Sequence, residues 1–224
     1  MTNAAHISPA ISRNTIMHGN CIDTMREMPA QSVDFILTDP PYIAAYKSRD
    51  NQTIRNDDNA AWLSPAFAHM HRVLKDDSFA ISFYGWPKVD LFFSAWKSSG
   101  FRIGGHIVFR KRYASKSAFV QYRHEAAYLL IKGNPAFPAA PLPDVMDWTY
   151  TGNKLHPTQK SIHVLKPLIE AFSEPHHVVL DPFAGSGSTC VAAHRTGRDY
   201  IGIELDAKHH RTATGRLAKE STSV

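Results

Sequence analysis

Six short apolar runs recur along the 224 residues, each dense in β-branched or aromatic side chains: SVDFILTD, SFAISFYG, HIVFRKR, AAYLLIKG, HVVLDPF and DYIGIELD. Between several of them lie stretches whose apolar residues repeat at helical spacing: DTMREMPA, AWLSPAFAHMHRVLKD, WPKVDLFFSAWKSSG, SIHVLKPLIEAFSE and STCVAAHRTG. Continuously apolar strands alternating with helices leave few folds open. They call for a mostly parallel sheet covered by helices on both faces, an α/β doubly wound architecture. HIVFRKR and EAAYLLIKG have no helix between them and are expected to form an antiparallel pair joined by YASKSAFVQYRH. The chain is long enough to bury about 70–75% of its unfolded surface in one domain.

No stretch reaches the roughly 18 uninterrupted apolar residues of a membrane span, and the opening MTNAAHISPAISRN lacks the order of a signal peptide. A cytoplasmic protein with no membrane partner is expected. The two cysteines, Cys21 and Cys190, make no disulfide framework or zinc quartet and read as core residues. The thirteen histidines include three adjacent or near-adjacent pairs, but no HExxH accompanies them, so no metal is expected. Net charge is +5, and residues 102–132 hold seven Lys/Arg against one Glu, which leaves the rest of the chain at −1. The basicity is one patch. Residues 43–60, 111–123 and 133–153 have loop composition and are the expected binding loops.

In HVVLDPFAGSGSTCVAAHR a buried strand runs into a Gly-x-Gly turn that opens a helix of small residues. At a strand's carboxyl end such a turn lets a ligand approach the backbone, and the helix presents free amides. The next strand ends in Glu204, seventeen residues after Gly187, near the spacing at which an acid meets ribose hydroxyls. No Gly-Lys-Ser/Thr follows, which excludes a P-loop, and Cys190 stands where a dinucleotide fold wants its third glycine. S-adenosylmethionine (SAM) has an adenosine and a zwitterionic tail but no phosphate, so it suits the shorter turn. A simple tight strand-to-helix turn is the alternative.

TDPPYI, HPTQKS and VLDPFAGSGSTCVAA with YIGIELD, in this order, resemble the DNA amino-methyltransferases of the β arrangement, in which the catalytic DPPY precedes the SAM-binding FxGxG. The resemblance covers nearly the whole chain, from MHGNCIDTM to IELD. It implies a Rossmann-like, circularly permuted methyltransferase domain in a bacterial or phage setting. Catalysis would fall to Asp39, Pro40, Pro41 and Tyr42, and cofactor binding to Asp181, Phe183, Gly185, Gly187, Ser188, Thr189 and Glu204. It also implies Thr158 and Lys160 at the carboxylate end of SAM and Asn20 near its adenine. Ser161 stands where the family more often has proline, and Asn20 where aspartate is more typical; helix initiation and an ordinary turn are the alternatives for these two segments.

The chemistry gives DPPY a reason. An exocyclic amine is a poor nucleophile because its lone pair is delocalised into the ring. The Asp39 carboxylate and the Pro40 carbonyl could accept its two hydrogens and favour a tetrahedral nitrogen, and a Pro-Pro turn holds that carbonyl rigidly. Tyr42 would stack on the base, which must be flipped out of the duplex. Arg110, Lys111, Arg112, Lys116 and Arg123, interleaved with Tyr113, Phe119 and Tyr122, suit phosphates of double-stranded DNA, with Lys47, Arg49 and Arg55 as further contacts. No long target-recognition region is present, so short loops, with a homodimer as helper, are expected to read sequence. Adenine is favoured over the 4-amino group of cytosine, whose enzymes more often have serine in place of the aspartate. Transfer to cytosine carbon 5 would need a nucleophilic cysteine beside the site, and neither cysteine is so placed. RNA, a protein glutamine amide and a catalytically idle SAM- or DNA-binding module are the remaining alternatives. The basic patch opposes the glutamine amide, and retention of both Asp39 and Glu204 opposes the idle module.

Overall fold

A computed structural model describes residues 12–45, 54–115, 119–149 and 159–221. Its strands are β1 (Thr15–His18), β2 (Val33–Thr38), β3 (Leu74–Phe83), β4 (Arg102–Ser115), β5 (Tyr122–Lys132), β6 (Val145–Asp147), β7 (Val178–Asp181) and β8 (Asp199–Glu204). The helices are α1 (Cys21–Glu27), α2 (Leu63–Val73), α3 (Val89–Ser98), α4 (Ile162–Phe172), α5 (Ser188–Arg195) and α6 (Ala207–Ser221). The strands form one sheet in the order β1-β8-β7-β2-β3-β5-β4-β6. β5 runs antiparallel to β3 and β4, and the other pairings are parallel. This is the α/β, mostly parallel sheet that the alternation of apolar runs demands.

Each central strand is buried on both faces because its side chains alternate. On β2, Phe35 and Leu37 join a core built with Leu165 and Leu168 of α4, Val191 of α5 and Leu217 of α6. Ile36, between them, points the other way and packs with Met25 of α1, Phe67 and Met70 of α2, and Phe92 and Trp96 of α3.

Three elements differ from the sequence expectation. Most of 111–123, expected as a loop, is strand: β4 runs to Ser115 and β5 starts at Tyr122. Within 133–153, β6 adds three residues to the sheet edge, too few to show a period. Helix α6 carries no strong apolar stripe; Ala213 and Leu217 are its buried positions among many polar ones.

The order of strands fixes where a ligand can sit. From β2 the chain goes to β3 on one side, whereas from β7 it goes to β8 on the other, yet β2 and β7 are paired neighbours through Phe35/Val179 and Ile36/Leu180. Connections that leave in opposite directions open a crevice at the carboxyl ends of the two strands.

Candidate active site

The tips of β1, β8, β7 and β2 lie side by side at that edge, because Asp181 is in register with Gly202, and His18 with Glu204. Each delivers one segment: Gly19-Asn20 after β1, Glu204 on β8, Asp181-Pro182-Phe183 after β7, and Asp39-Pro40-Pro41-Tyr42 after β2. All four contribute to one cavity of about 170 Å³, lined among others by Asn20, Asp39, Tyr42, Phe183, Gly185 and Glu204. A smaller polar cavity of about 50 Å³ adjoins it, with Asp39, Phe183 and Gly185 common to both, and adds Lys160, Asp181, Ser188 and Thr189.

The glycine turn and the acid are fastened together. Glu204 Oε2 accepts the Gly185 amide at 2.7 Å, and Oε1 accepts the Asp206 amide at 2.7 Å. Burial raises the Glu204 carboxyl above its ordinary value, against the pull of these two amides. Gly187 lines neither cavity. It sits at φ 77°, and a Cβ there would come within 3.1 Å of Ala213 Cβ, so this glycine serves the turn and the close packing of α5 on α6. Asp181 Oδ1 accepts the Phe183 amide and the Thr38 hydroxyl, both at 3.1 Å, and burial pushes its carboxyl up to about 7. Asn20 caps α1 by accepting the Ile22 amide at 2.9 Å. Phe183 meets Trp62 edge-on, with ring centres 5.1 Å apart.

Asp39 is held from two sides. Its Oδ1 accepts the Tyr42 hydroxyl at 2.8 Å, and its Oδ2 accepts Lys160 Nζ at 2.6 Å; Lys160 also donates to the Tyr42 hydroxyl at 3.2 Å. Burial pushes the Asp39 carboxyl up, while the Lys160 ammonium and the Tyr42 hydroxyl pull it down. Burial and the Asp39 carboxylate together push the Tyr42 phenol well above its usual value, so it stays a neutral donor. Lys160 is thus paired with Asp39, a partner beyond the cofactor carboxylate that the HPTQK resemblance implies.

Two backbone features set the proline turn. Ile43 has φ 57°, a conformation that costs a β-branched residue about 1–3 kcal/mol, and its burial is worth a similar amount, so packing holds the exit from Tyr42. Gly85, just beyond β3, lies under Tyr42: a Cβ there would fall 2.6 Å from the Tyr42 carbonyl oxygen and 2.7 Å from its Cβ. The glycine in SFYGWP is the signal that sequence reasoning passed over, since a glycine at a strand end marks close backbone approach. Gly85→Ala must therefore shift the Asp39–Tyr42 turn. We expect it to cut the activity of the site by at least about 100-fold, as small misplacements of reacting groups do, while a melting curve shows the fold retained.

The basic run splits. On β4, Arg110 and Arg112 face outward and Lys111 inward, as strand alternation requires. Lys111, expected at a phosphate, is instead 7% exposed and paired with Glu125 of β5. Arg110 pairs with Asp147 at 2.9 Å on the surface, and Arg112 and Arg123 are exposed. Phe119 is 99% exposed, and Trp86, not anticipated from sequence, is 57% exposed with its ring 5.2 Å from that of Tyr122. Arg55 stands at the larger cavity, 3.9 Å from Asp206. Lys47, Arg49, Lys116 and Thr158 lie outside the described residues. Among the described residues no group of three His, Cys, Asp or Glu is arranged to hold a metal, and no helix is long and apolar enough to cross a membrane.

A family model of N6/N4 DNA methylases matches residues 33–215. The chain belongs to the N6/N4 DNA methylase family. This methylase is 55% identical over 202 residues to YubD of Escherichia coli (strain K12), covering 90% of this chain and 89% of YubD. It is 30% identical over 248 residues to the DNA adenine methyltransferase YhdJ of the same strain, covering 91% of this chain and 82% of YhdJ. Its fold is shared with the M1.HpyAVI-SAM complex, at a TM-score of 0.73 and 22% identity over 91% of this chain and 98% of the other. In this methylase fold the cavity joins the DPPY turn to the glycine turn, two segments about 140 residues apart in sequence.

Proposed function

We propose that this methylase uses SAM to methylate the exocyclic 6-amino group of an adenine flipped out of double-stranded DNA. The observation that carries the proposal is the single cavity lined by both the Asp39–Tyr42 turn and the Gly185/Glu204 pair. YhdJ, 30% identical, is named for adenine, and the structurally similar M1.HpyAVI has been seen with SAM.

The residues present fit that cofactor. Glu204 keeps lone pairs for ribose hydroxyls beside the two amides it accepts, since each carboxylate oxygen can take two bonds. Asn20, Phe183 and Ile203 line the same cavity and would flank an adenine ring. Ser188 and Thr189 at the start of α5 line the smaller cavity, which suits a zwitterionic tail. SAM, when bound, supplies an electrophilic methyl group on a sulfonium. The chain's own part is to prepare the amine. Asp39 and the Pro40 carbonyl accept its two hydrogens, and Asp39 has lone pairs left for this beside those used by Tyr42 and Lys160. Tyr42 lines the cavity where the base would stack.

The hairpin of β4 and β5 brings Arg112 and Arg123 to the surface on the DNA side of this reading. Replacing both with alanine should lower the slope of log affinity against log salt by about 2, since each phosphate contact contributes about 0.9. SAM affinity should be unchanged. Filter binding across a salt series measures the first and calorimetry the second.

The functional test is to incubate the protein with SAM and unmethylated DNA, digest to nucleosides and identify the modified base by mass spectrometry. N6-methyldeoxyadenosine is the expected product. N4-methyldeoxycytidine would transfer the site to the other branch of the family, and SAM binding without any product would make the chain an idle binding module.

A further inference from the structure

Lys160 sits just before α4 and 121 residues from Asp39, yet its ammonium reaches both the Asp39 carboxylate, at 2.6 Å, and the Tyr42 hydroxyl, at 3.2 Å. It is only 8% exposed, and Asp39 19%. Three rings surround the cation: its nitrogen lies 4.8 Å from the centre of Phe83, 5.4 Å from Tyr42 and 5.8 Å from Trp148. Such faces attract an ammonium where water is scarce, so the cage holds Lys160 in place. A cation caged in this way and hydrogen-bonded to one carboxylate oxygen fixes both the charge and the orientation of that carboxylate.

We propose that Lys160 is the positioning residue for Asp39: it keeps the carboxylate ionised and oriented so that the free lone pairs face the amine of the target base. The proposal rests on the functional reading above and deepens it by assigning Lys160 to the amine-gripping turn. The surroundings make a cation necessary. Glu125 of β5 and Asp181 of β7 both lie near enough to disfavour a charge on Asp39 or to be disfavoured by it. Glu125 is itself paired with Lys111 of β4, and Tyr84, just past the end of β3, and Tyr42 add phenols on the same side. Among the described residues Lys160 is the cation in contact with Asp39.

The sign follows. Without Lys160 the desolvation of Asp39 stands unopposed by a contacting cation, so its carboxyl titrates at higher pH and the ionised, accepting form is lost from the acid side upward. Lys160→Met, with Lys160→Gln as a second neutral variant and Lys160→Arg as the charged control, would be compared with wild type by carbon-13 carboxyl NMR of Asp39, assigned through Asp39→Asn. In both neutral variants the Asp39 midpoint should rise by about one pH unit or more, and in Lys160→Arg it should stay near the wild-type value. SAM affinity by calorimetry should change less than about 3-fold, and single-turnover methylation at neutral pH should fall by about 100-fold, recovering in part as pH is raised.

An unmoved midpoint overturns the proposal, and a loss of SAM affinity above about 10-fold with an unmoved midpoint would return Lys160 to the cofactor carboxylate. The NMR titration needs neither DNA nor turnover. Failure of the wild-type protein to methylate any DNA would therefore overturn the functional reading alone, while a risen midpoint would still support the link between Lys160 and Asp39.

Discussion

Asp39→Asn is expected to lower methyl transfer by about 1000-fold or more while changing SAM affinity less than about 3-fold. Asparagine is the informative substitution. Its Oδ1 can still accept from Tyr42 or Lys160, whereas alanine would remove both of these hydrogen bonds beside the 8% exposed Lys160 ammonium. What asparagine lacks is the negative charge that stabilises the positive charge growing on the amine as its nitrogen begins to share its lone pair. That interaction strengthens during transfer, so its loss appears in the rate and not in ground-state binding. Rapid-quench transfer measured with saturating SAM, beside calorimetry of SAM binding, separates the two quantities. Turnover at the wild-type rate would remove Asp39 from the chemistry.

Glu204→Gln should have the opposite signature, weakening SAM binding by about 10- to 100-fold with a smaller effect on the rate at saturation. Glu204 ends β8 and accepts two backbone amides, those of Gly185 and Asp206, with its two oxygens. A glutamine side chain can serve one of them with its carbonyl and presents an NH2 to the other, so the glycine turn loosens as the charged acceptor for hydroxyl groups is lost. Calorimetry with SAM and with adenosine alone tells the two contributions apart, because adenosine carries the ribose but not the tail. Equal affinity in the variant and the wild type would dissociate Glu204 from the cofactor.

The strand-and-helix alternation was legible because each central strand of the sheet is apolar on both faces, and the order of DPPY and GxG told which strand tips meet. Asp39 and Glu204 were legible for the same reason: each stands at the end of a dense apolar run, where a buried strand gives way to the carboxyl edge. Lys160 was legible as a residue but not by its partner. Its contact with Asp39 spans 121 residues, and no local pattern encodes such a closure. Gly85 was not legible because what makes it glycine is the Tyr42 backbone, which another strand brings in. The RKR run was read as a patch of one kind, but once the segment is strand, its period of two sends Lys111 to Glu125 and leaves Arg110 and Arg112 outside. Helix α6 was missed because its buried residues, Ala213 and Leu217, are too few to stand out among polar neighbours.

The central claim is spatial: one cavity serves both the methyl donor and the turn that grips the amine. A crystal structure with sinefungin, a SAM analogue bearing an amine where the methyl sulfonium would be, tests it most directly. The account predicts the ribose on Glu204, the tail beside Ser188 and Thr189, and the analogue's amine turned toward Asp39 and Pro40, leaving room for a nitrogen about 3–3.5 Å from the transferred group. An analogue bound elsewhere, or bound on Glu204 with its amine facing away from Asp39, would contradict it.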